Sequence, residues 1–200
     1  MGIAERKLRQ KEEVRSSILK AAWQIVQVEG WQALSIRKIA EAIEYSVPVI
    51  YDHFENKEAI LLEFTRQGFR ILNDEMIKAK KRYAEPEKQI EAMAYSYWEF
   101  AFEHKAYYHL MYGLGMPSCE MVSTITELSV FTSLILQPIK DLIAENPQKP
   151  NDPMLKLHTF WSMLHGLISI NMINNSENKR EHNQMVIQDF INAFISGIRK

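Results

Sequence analysis

The chain has 200 residues, 46% apolar and 24% charged, with only seven glycines and seven prolines. This composition can bury a substantial core and excludes a disordered or collagen-like chain. The net charge of −1 excludes a uniformly basic nucleic-acid binder, and the single cysteine, Cys119, excludes an internal disulfide, a zinc ribbon and CxxC redox chemistry.

No stretch alternates like a strand, so the expected fold is all-α. The start, Met1-Gly2-Ile3-Ala4-Glu5-Arg6-Lys7, lacks the apolar core of a signal peptide. A first helix is expected from about Glu5 to Glu29, where Val14, Ile18, Ala21, Ala22, Ile25 and Val26 recur at helical spacing, with Gly30 as its C-terminal cap. Ser35 and Ser46 then stand where N-caps belong, and Pro48 falls in the first turn after Ser46. Two short helices so spaced match a helix-turn-helix, whose second helix enters the DNA major groove. A pair of short core helices in an all-α domain would read the same way. Asn56 caps a fourth helix expected from Lys57 to about Tyr83, long enough to belong to two domains and to link them mechanically.

Glu85-Pro86-Glu87 breaks the chain before a helix to about Glu103, a short helix runs from Tyr107 to Gly113, and Gly115-Met116-Pro117 marks a loop. A helix from about Glu120 to Ala144 contains Pro138, where a kink or break is expected. The segment 146–153 is the clearest loop. From Pro153 to Asn174 apolar residues cover nearly the whole circumference; from His182 to Ile198 they fill two adjacent rows. Such wide apolar faces fit either a monomeric core or an interface between two chains. The longest apolar stretch, Thr159–Ile173, is 15 residues and contains His165 and Asn171, too short and too polar to span a membrane.

Charge placement says more than net charge. Residues 1–40 hold eight Lys or Arg against four Glu, a local excess suited to neutralising phosphates, or simply a solvated helix face. Catalytic signatures are missing: no G-x-S-x-G elbow, no H-E-x-x-H and no glycine loop for phosphate, while Cys119 reads as a structural thiol and no cofactor or metal is implied. Within the second short helix, Val47 and Val49 could touch thymine methyls and Asp52 could accept from a cytosine amino group. Phe54 reads as core.

The run Ile18-Leu19-Lys20-Ala21-Ala22, Gly30, Leu34-Ser35-Ile36-Arg37-Lys38-Ile39-Ala40, Val49-Ile50-Tyr51-Asp52-His53-Phe54 and Asn56-Lys57-Glu58-Ala59-Ile60-Leu61 resembles the DNA-binding domain of TetR-type transcriptional regulators. The turn that usually carries Gly there reads Glu44-Tyr45. The remainder resembles the branch named for a Trp-x-x-x-His-Gly signature, here Trp161 to Gly166. The resemblance implies a DNA-binding domain over 1–64, fused through a long helix to a ligand-binding and dimerisation domain over 65–200. It implies that Tyr51, His53 and Lys57 meet the DNA backbone, that Arg37 reaches DNA with Lys38 beside it, and that Ser35, Ser46, Val47, Pro48, Val49 and Asp52 complete the contact region. A ligand pocket is implied in the helical domain, with Trp98, Phe102, Tyr108, Met111, Tyr112, Phe131, Trp161 and His165 as candidates, and a dimer interface from Phe160, Leu164, Leu167, Val186, Phe190 and Phe194. The expected protein is a cytoplasmic, homodimeric repressor of a double-stranded DNA operator, released by a small apolar effector. The other reading is an all-α small-molecule carrier or interaction module.

Overall fold

The computed structural model describes residues 2–112, 125–148, 151–173 and 180–199. Among these residues every regular element is helical: α1 (Ile3–Glu29), a 3-10 turn (Trp31–Ala33), α2 (Ile36–Ala42), α3 (Val47–Tyr51), α4 (Lys57–Lys80), α5 (Pro86–Glu103), α6 (Lys105–Tyr112), α7 (Thr126–Ala144), α8 (Pro153–Ile173) and α9 (Arg180–Arg199). The Gly115-Met116-Pro117 loop, Cys119 and the start of the helix expected from Glu120 lie outside the described residues. The chain divides into two compact units. One takes in the described residues up to Gln67 and from Ala106 to Tyr112; the other takes in 68–105 and the described residues from Ile125 onward. The dividing point between Gln67 and Gly68 falls within α4.

The first unit is built on the predicted apolar positions. Ile18, Ala22 and Val26 of α1, Ile39 of α2, Ile50 of α3 and Ile60 and Phe64 of α4 form one core, which also includes Leu110 of α6. Ser35 caps α2 by accepting from the Lys38 amide (3.2 Å), and Asn56 caps α4 through the Ala59 amide (2.8 Å). Ser46 holds the N-cap position of α3 with extended backbone but makes no side-chain cap bond. An aromatic group completes this unit. Trp23 stacks on Tyr107 (centroids 4.4 Å) and lies 5.6 Å from Phe64, and Trp31 Nε1 donates to the Ala106 carbonyl (2.7 Å).

The turn from α2 to α3 does without glycine. Glu44 adopts φ 59°, the left-handed conformation, and is the described non-glycine residue that does so. The Tyr45 amide donates to the Ala40 carbonyl (3.0 Å) and the Glu44 amide to the Glu41 carbonyl (3.2 Å). This pair of bonds is the Schellman arrangement that usually has Gly at the left-handed position.

In the second unit, α5 buries Ile90, Met93, Tyr97 and Phe100, α7 buries Phe131, Ile135 and Ile139, and α9 buries Ile187, Ile191, Phe194 and Ile198. Pro138 sits inside α7 and does not end it. Proline has no N–H to donate to the carbonyl four residues back, Leu134, and Lys80 Nζ approaches that freed oxygen at 3.5 Å. Loop and α8 side chains also cap the end of α9. Asn146 Nδ2 donates to the Arg199 carbonyl (3.2 Å), Asn151 Nδ2 to that of Ile198 (3.2 Å) and Lys156 Nζ to that of Gly197 (3.4 Å). These are among the carbonyls a helix leaves unsatisfied at its C-terminus.

A left-handed L-residue costs roughly 1–2 kcal/mol, partly offset for Gly by its greater backbone entropy. Glu44→Gly is therefore expected to stabilise the chain by roughly 0.5–1 kcal/mol, raising the thermal midpoint by about 1–4 °C in a chain of this size. Glu44→Val should lower it. A melt in which Gly gave no gain over Glu would contradict the strained-turn account.

Candidate functional site

The predicted DNA-facing residues gather on the outer side of the α2–α3 pair. Within α3 and the residues after it, Ile50 and Phe54 are buried, whereas Pro48, Tyr51 and Asp52 are exposed and Val47, Val49, His53 and Lys57 are half-buried. Tyr51 is 51% exposed, so its ring is not a core group. A five-residue helix cannot hold its own shape. Its position comes from the buried side chains on either side of the turn and from the backbone bonds Asp52 N to Pro48 O (3.1 Å) and Phe54 N to Ile50 O (2.9 Å).

The charges around this face are partly engaged. Arg37 Nε lies 3.0 Å from Glu41 Oε1, with both side chains well exposed, and Lys38 Nζ pairs with Glu29. Exposed pairs of this kind contribute little stability and exchange readily for another anion. Arg15 is different. Its guanidinium bonds Glu63, which is largely covered, at 3.0 Å and stands 4.8 Å from the Phe54 ring centre, joining α1, the α3–α4 turn and α4. The sequence reading missed Arg15 as an organiser of this site; its place on the same helical side as Ile18 and Ala22 was the available signal.

The His53 imidazole is held below its ordinary value by burial, then by the positive charge of Lys11, with Asp52 opposing and Arg15 adding to the depression. Its Nδ1 is buried and has no hydrogen-bond partner among the described residues. A neutral His53 can donate to a phosphate oxygen from one nitrogen, and an approaching phosphate would favour its protonation.

The predicted ligand residues fall into two groups. Tyr108, Met111 and Tyr112 belong to α6 in the first unit, with the Tyr108 and Tyr112 rings 4.9 Å apart. Trp98, Phe102, Phe131, Trp161 and His165 belong to the second unit. There Trp98 and Phe102 pair at 4.6 Å, Phe131 meets Trp161 edge-on at 5.8 Å, and Trp161 Nε1 donates to Tyr97 Oη (3.3 Å). Asn73 of α4, which the sequence reading passed over, is buried in this unit; its Nδ2 donates to the Glu127 carbonyl (2.9 Å) and its Oδ1 accepts no bond among the described residues. Of the predicted interface residues, Phe160, Leu164 and Phe194 are buried within the chain itself, while Leu167, Val186 and Phe190 are half-exposed. The strongly exposed apolar residues of α8 are instead Leu155, Met163 and Ile170. Among the described residues, Glu75, Glu103 and His104 bring possible metal-ligating atoms within 4.8 Å. His104 Nε2 lies 3.3 Å from Glu75 Oε1, and Glu103 is exposed, so the group reads as a surface hydrogen-bonded contact.

Burial pushes the His165 imidazole below 6.5. A histidine depressed in this way binds its proton more weakly folded than unfolded, so stability is lost as pH falls through 6.5 toward the native value and not above it. The thermal midpoint should therefore drop further between about pH 7.5 and about pH 5.5 in the wild type than in His165→Gln. Equal drops would show that His165 is not a source of acid sensitivity.

Comparison with known proteins places this geometry. Residues 18–64 match the bacterial regulatory proteins of the tetR family, and residues 90–186 match the tetracyclin repressor-like C-terminal domain. The fold is similar to that of the transcriptional regulator FadR from Bacillus subtilis in complex with stearoyl-CoA (15% identity, 91% of this chain and 98% of that one, TM-score 0.71). It is also similar to the fatty acid degradation regulator FadR from Bacillus halodurans (16%, 92% and 96%, 0.67) and to the TetR family transcriptional regulator PfmR from Thermus thermophilus (19%, 90% and 97%, 0.64). At these identities the likeness is one of fold. No curated protein sequence matches the chain. Among the described residues no helix is long and apolar enough to cross a membrane. The chain carries a tetR-family DNA-binding domain at its N-terminal end and a tetracyclin repressor-like helical domain after it.

Proposed function

We propose that this protein is a cytoplasmic, ligand-responsive repressor that binds a palindromic DNA operator as a homodimer and is released by a small apolar effector. The observation that carries the reading is the two-sidedness of α3: Ile50 is fully buried while Pro48 and Tyr51 face solvent, so a short helix is held by one side and offered by the other. In this reading residues 1–64 bind DNA and 65–200 bind ligand and partner. Tyr51, His53, Lys57 and Arg37 contact phosphates, with Ser35, Lys38, Ser46 and Pro48 at the helix starts. Val47, Val49 and Asp52 face base edges.

The dimer forms through α8 and α9. Leu155, Met163, Leu167 and Ile170 make an apolar stripe on the side of α8 away from Leu157, Phe160, Leu164 and Ile168, which are buried. A stripe of that kind is what a two-fold helical interface requires. Trp161, His165 and Gly166 fit the Trp-His-Gly branch. The effector sits among Trp98, Phe102, Phe131, Trp161 and His165, and the neighbour solved with stearoyl-CoA supports an apolar, acyl-bearing molecule. The open Asn73 Oδ1 offers it a polar anchor.

Replacing Tyr51 and Lys57 together by Ala should weaken binding to all duplexes by a similar factor, since phosphate contacts carry little sequence information. A selection from random duplexes that enriches a palindrome with wild type supports the regulator; no enrichment favours a carrier or interaction module. Met163→Asp with Ile170→Asp, both at exposed positions, should yield a folded monomer by sedimentation. An unchanged dimer, or a monomeric wild type, removes the α8 interface. Phe194→Asp should unfold the chain instead, because that ring is buried among Phe160 and Phe190.

A further inference from the structure

Among the described residues, nothing packs against the first three turns of α1. Residues 2–13 are exposed at every position, and burial begins with Val14, Arg15 and Ile18. A helix end so free of contacts is marginal by itself, and its sequence shows no apolar face that a protein partner would cover. Its charge is sorted by side. Lys7 and Lys11 continue the side of α1 that carries Val14, Ile18, Ala21 and Ala22, so they extend the buried side beyond the body of the unit. Glu5, Glu12 and Glu13 lie on the other side, where Arg9 is 3.7 Å from Glu13. The basic side leads directly to the candidate DNA face. Lys11 is near enough to His53 to oppose its protonation, and Arg15, one turn further, stands over Phe54.

We propose that Lys7 and Lys11 form a second phosphate-binding ledge for double-stranded DNA, gripping backbone just outside the half-site that α3 reads. The inference rests on the DNA-binding reading above and extends its footprint. One helical turn, about 6 Å along the axis, separates the two ammonium groups, and their flexible stems let them reach two phosphates of one strand. Neither side chain faces base edges, so the ledge adds affinity and salt dependence without altering the sequence that is preferred.

The test uses the full chain and the duplex pool it enriches from random sequence, with binding followed by fluorescence anisotropy across a salt series. Lys7→Gln with Lys11→Gln should lower the slope of log K against log salt by about 1.8 per bound protomer, about 0.9 for each phosphate lost, and leave the enriched sequence as it was. Arg9→Gln, on the other side and already paired, should keep the wild-type slope. Both variants replace exposed residues, and unchanged thermal melts confirm that they fold. An unaltered slope in the double variant, or an equal fall in Arg9→Gln, overturns the ledge alone. A wild-type chain that shows no salt-dependent duplex binding overturns the regulator and the ledge together.

Discussion

The reversal of the chain between Ala40 and Ser46 is the constraint on which the first unit depends. Ile39 and Ile50 are both fully buried, and a five-residue α3 can place Ile50 there only if the chain leaves α2 at a fixed angle. The left-handed Glu44, with the amides of Glu44 and Tyr45 turned back onto Glu41 and Ala40, supplies that angle. Once it is set, helical geometry decides the rest: Ile50 goes inward, Tyr51 outward, and Phe54 returns to the core beneath Arg15. The strain of a side chain at positive φ is tolerated because the core on both sides of the turn over-determines it. In the proposed regulator, the negative charge of Glu44 beside the DNA face would add a second cost by weakening non-specific DNA attraction.

A net charge of −1 is compatible with a DNA-binding face because the acidic groups differ in what they do. Glu63 is largely covered and bonds Arg15, so it belongs to the scaffold. Glu41 and Glu29 pair with Arg37 and Lys38 in the open, where water screens the attraction and a phosphate can replace the carboxylate. In the proposed regulator, basic side chains of the second kind would be held near the DNA face and stay available to phosphates. Hydrogen bonds within the core and the aromatic group around Trp23 then keep the scaffold rigid while the outer charges rearrange.

Much of the fold was legible because its signals are local. Helix starts were marked by Ser35, Asn56 and Pro86, the end of α1 by Gly30, and Phe54 by its large apolar side chain, which reads as core. What escaped the sequence is what depends on distant partners. Nothing near Trp31 shows that its indole will reach the carbonyl of Ala106, 75 positions away, so α6 was assigned wholly to the larger domain. Pro138 reads as a kink or a break; α7 continues through it, and Lys80, 54 positions from Leu134, approaches the carbonyl it frees. For α8 the difficulty is periodicity itself. A helix apolar all round gives no preferred side, so Phe160 and Leu164 could not be told from Leu155 and Met163 until burial separated them. The residues proposed to face DNA were named by resemblance and local pattern, which specify side chains but not which pairings restrain them.

Among the described residues the chain passes between the units twice, once inside α4 and once at the start of α6, and the two crossings differ mechanically. α4 is an unbroken helix from Lys57 to Lys80, stiff over its whole length. In the second unit it is held by polar contacts, with Arg70 Nε at 2.8 Å from Glu127 Oε1 and Asn73 Nδ2 on the Glu127 carbonyl. α6 is instead held in the first unit by Trp31 and Tyr107, immediately after the His104–Glu75 pair that closes α5 onto α4. In the proposed regulator, an effector beside Asn73 would act on the stiff crossing through Glu127, while the pinned α6 would resist. Signalling then requires that the effector's preference between the two arrangements exceed the cost of loosening one of these anchors. Couplings of this type are typically about 1–3 kcal/mol, comparable with one well-formed charged hydrogen bond. The Asn73 bond to the Glu127 backbone carbonyl is a neutral one, worth about 0.5–1.5 kcal/mol, so it can set only the lower part of that threshold.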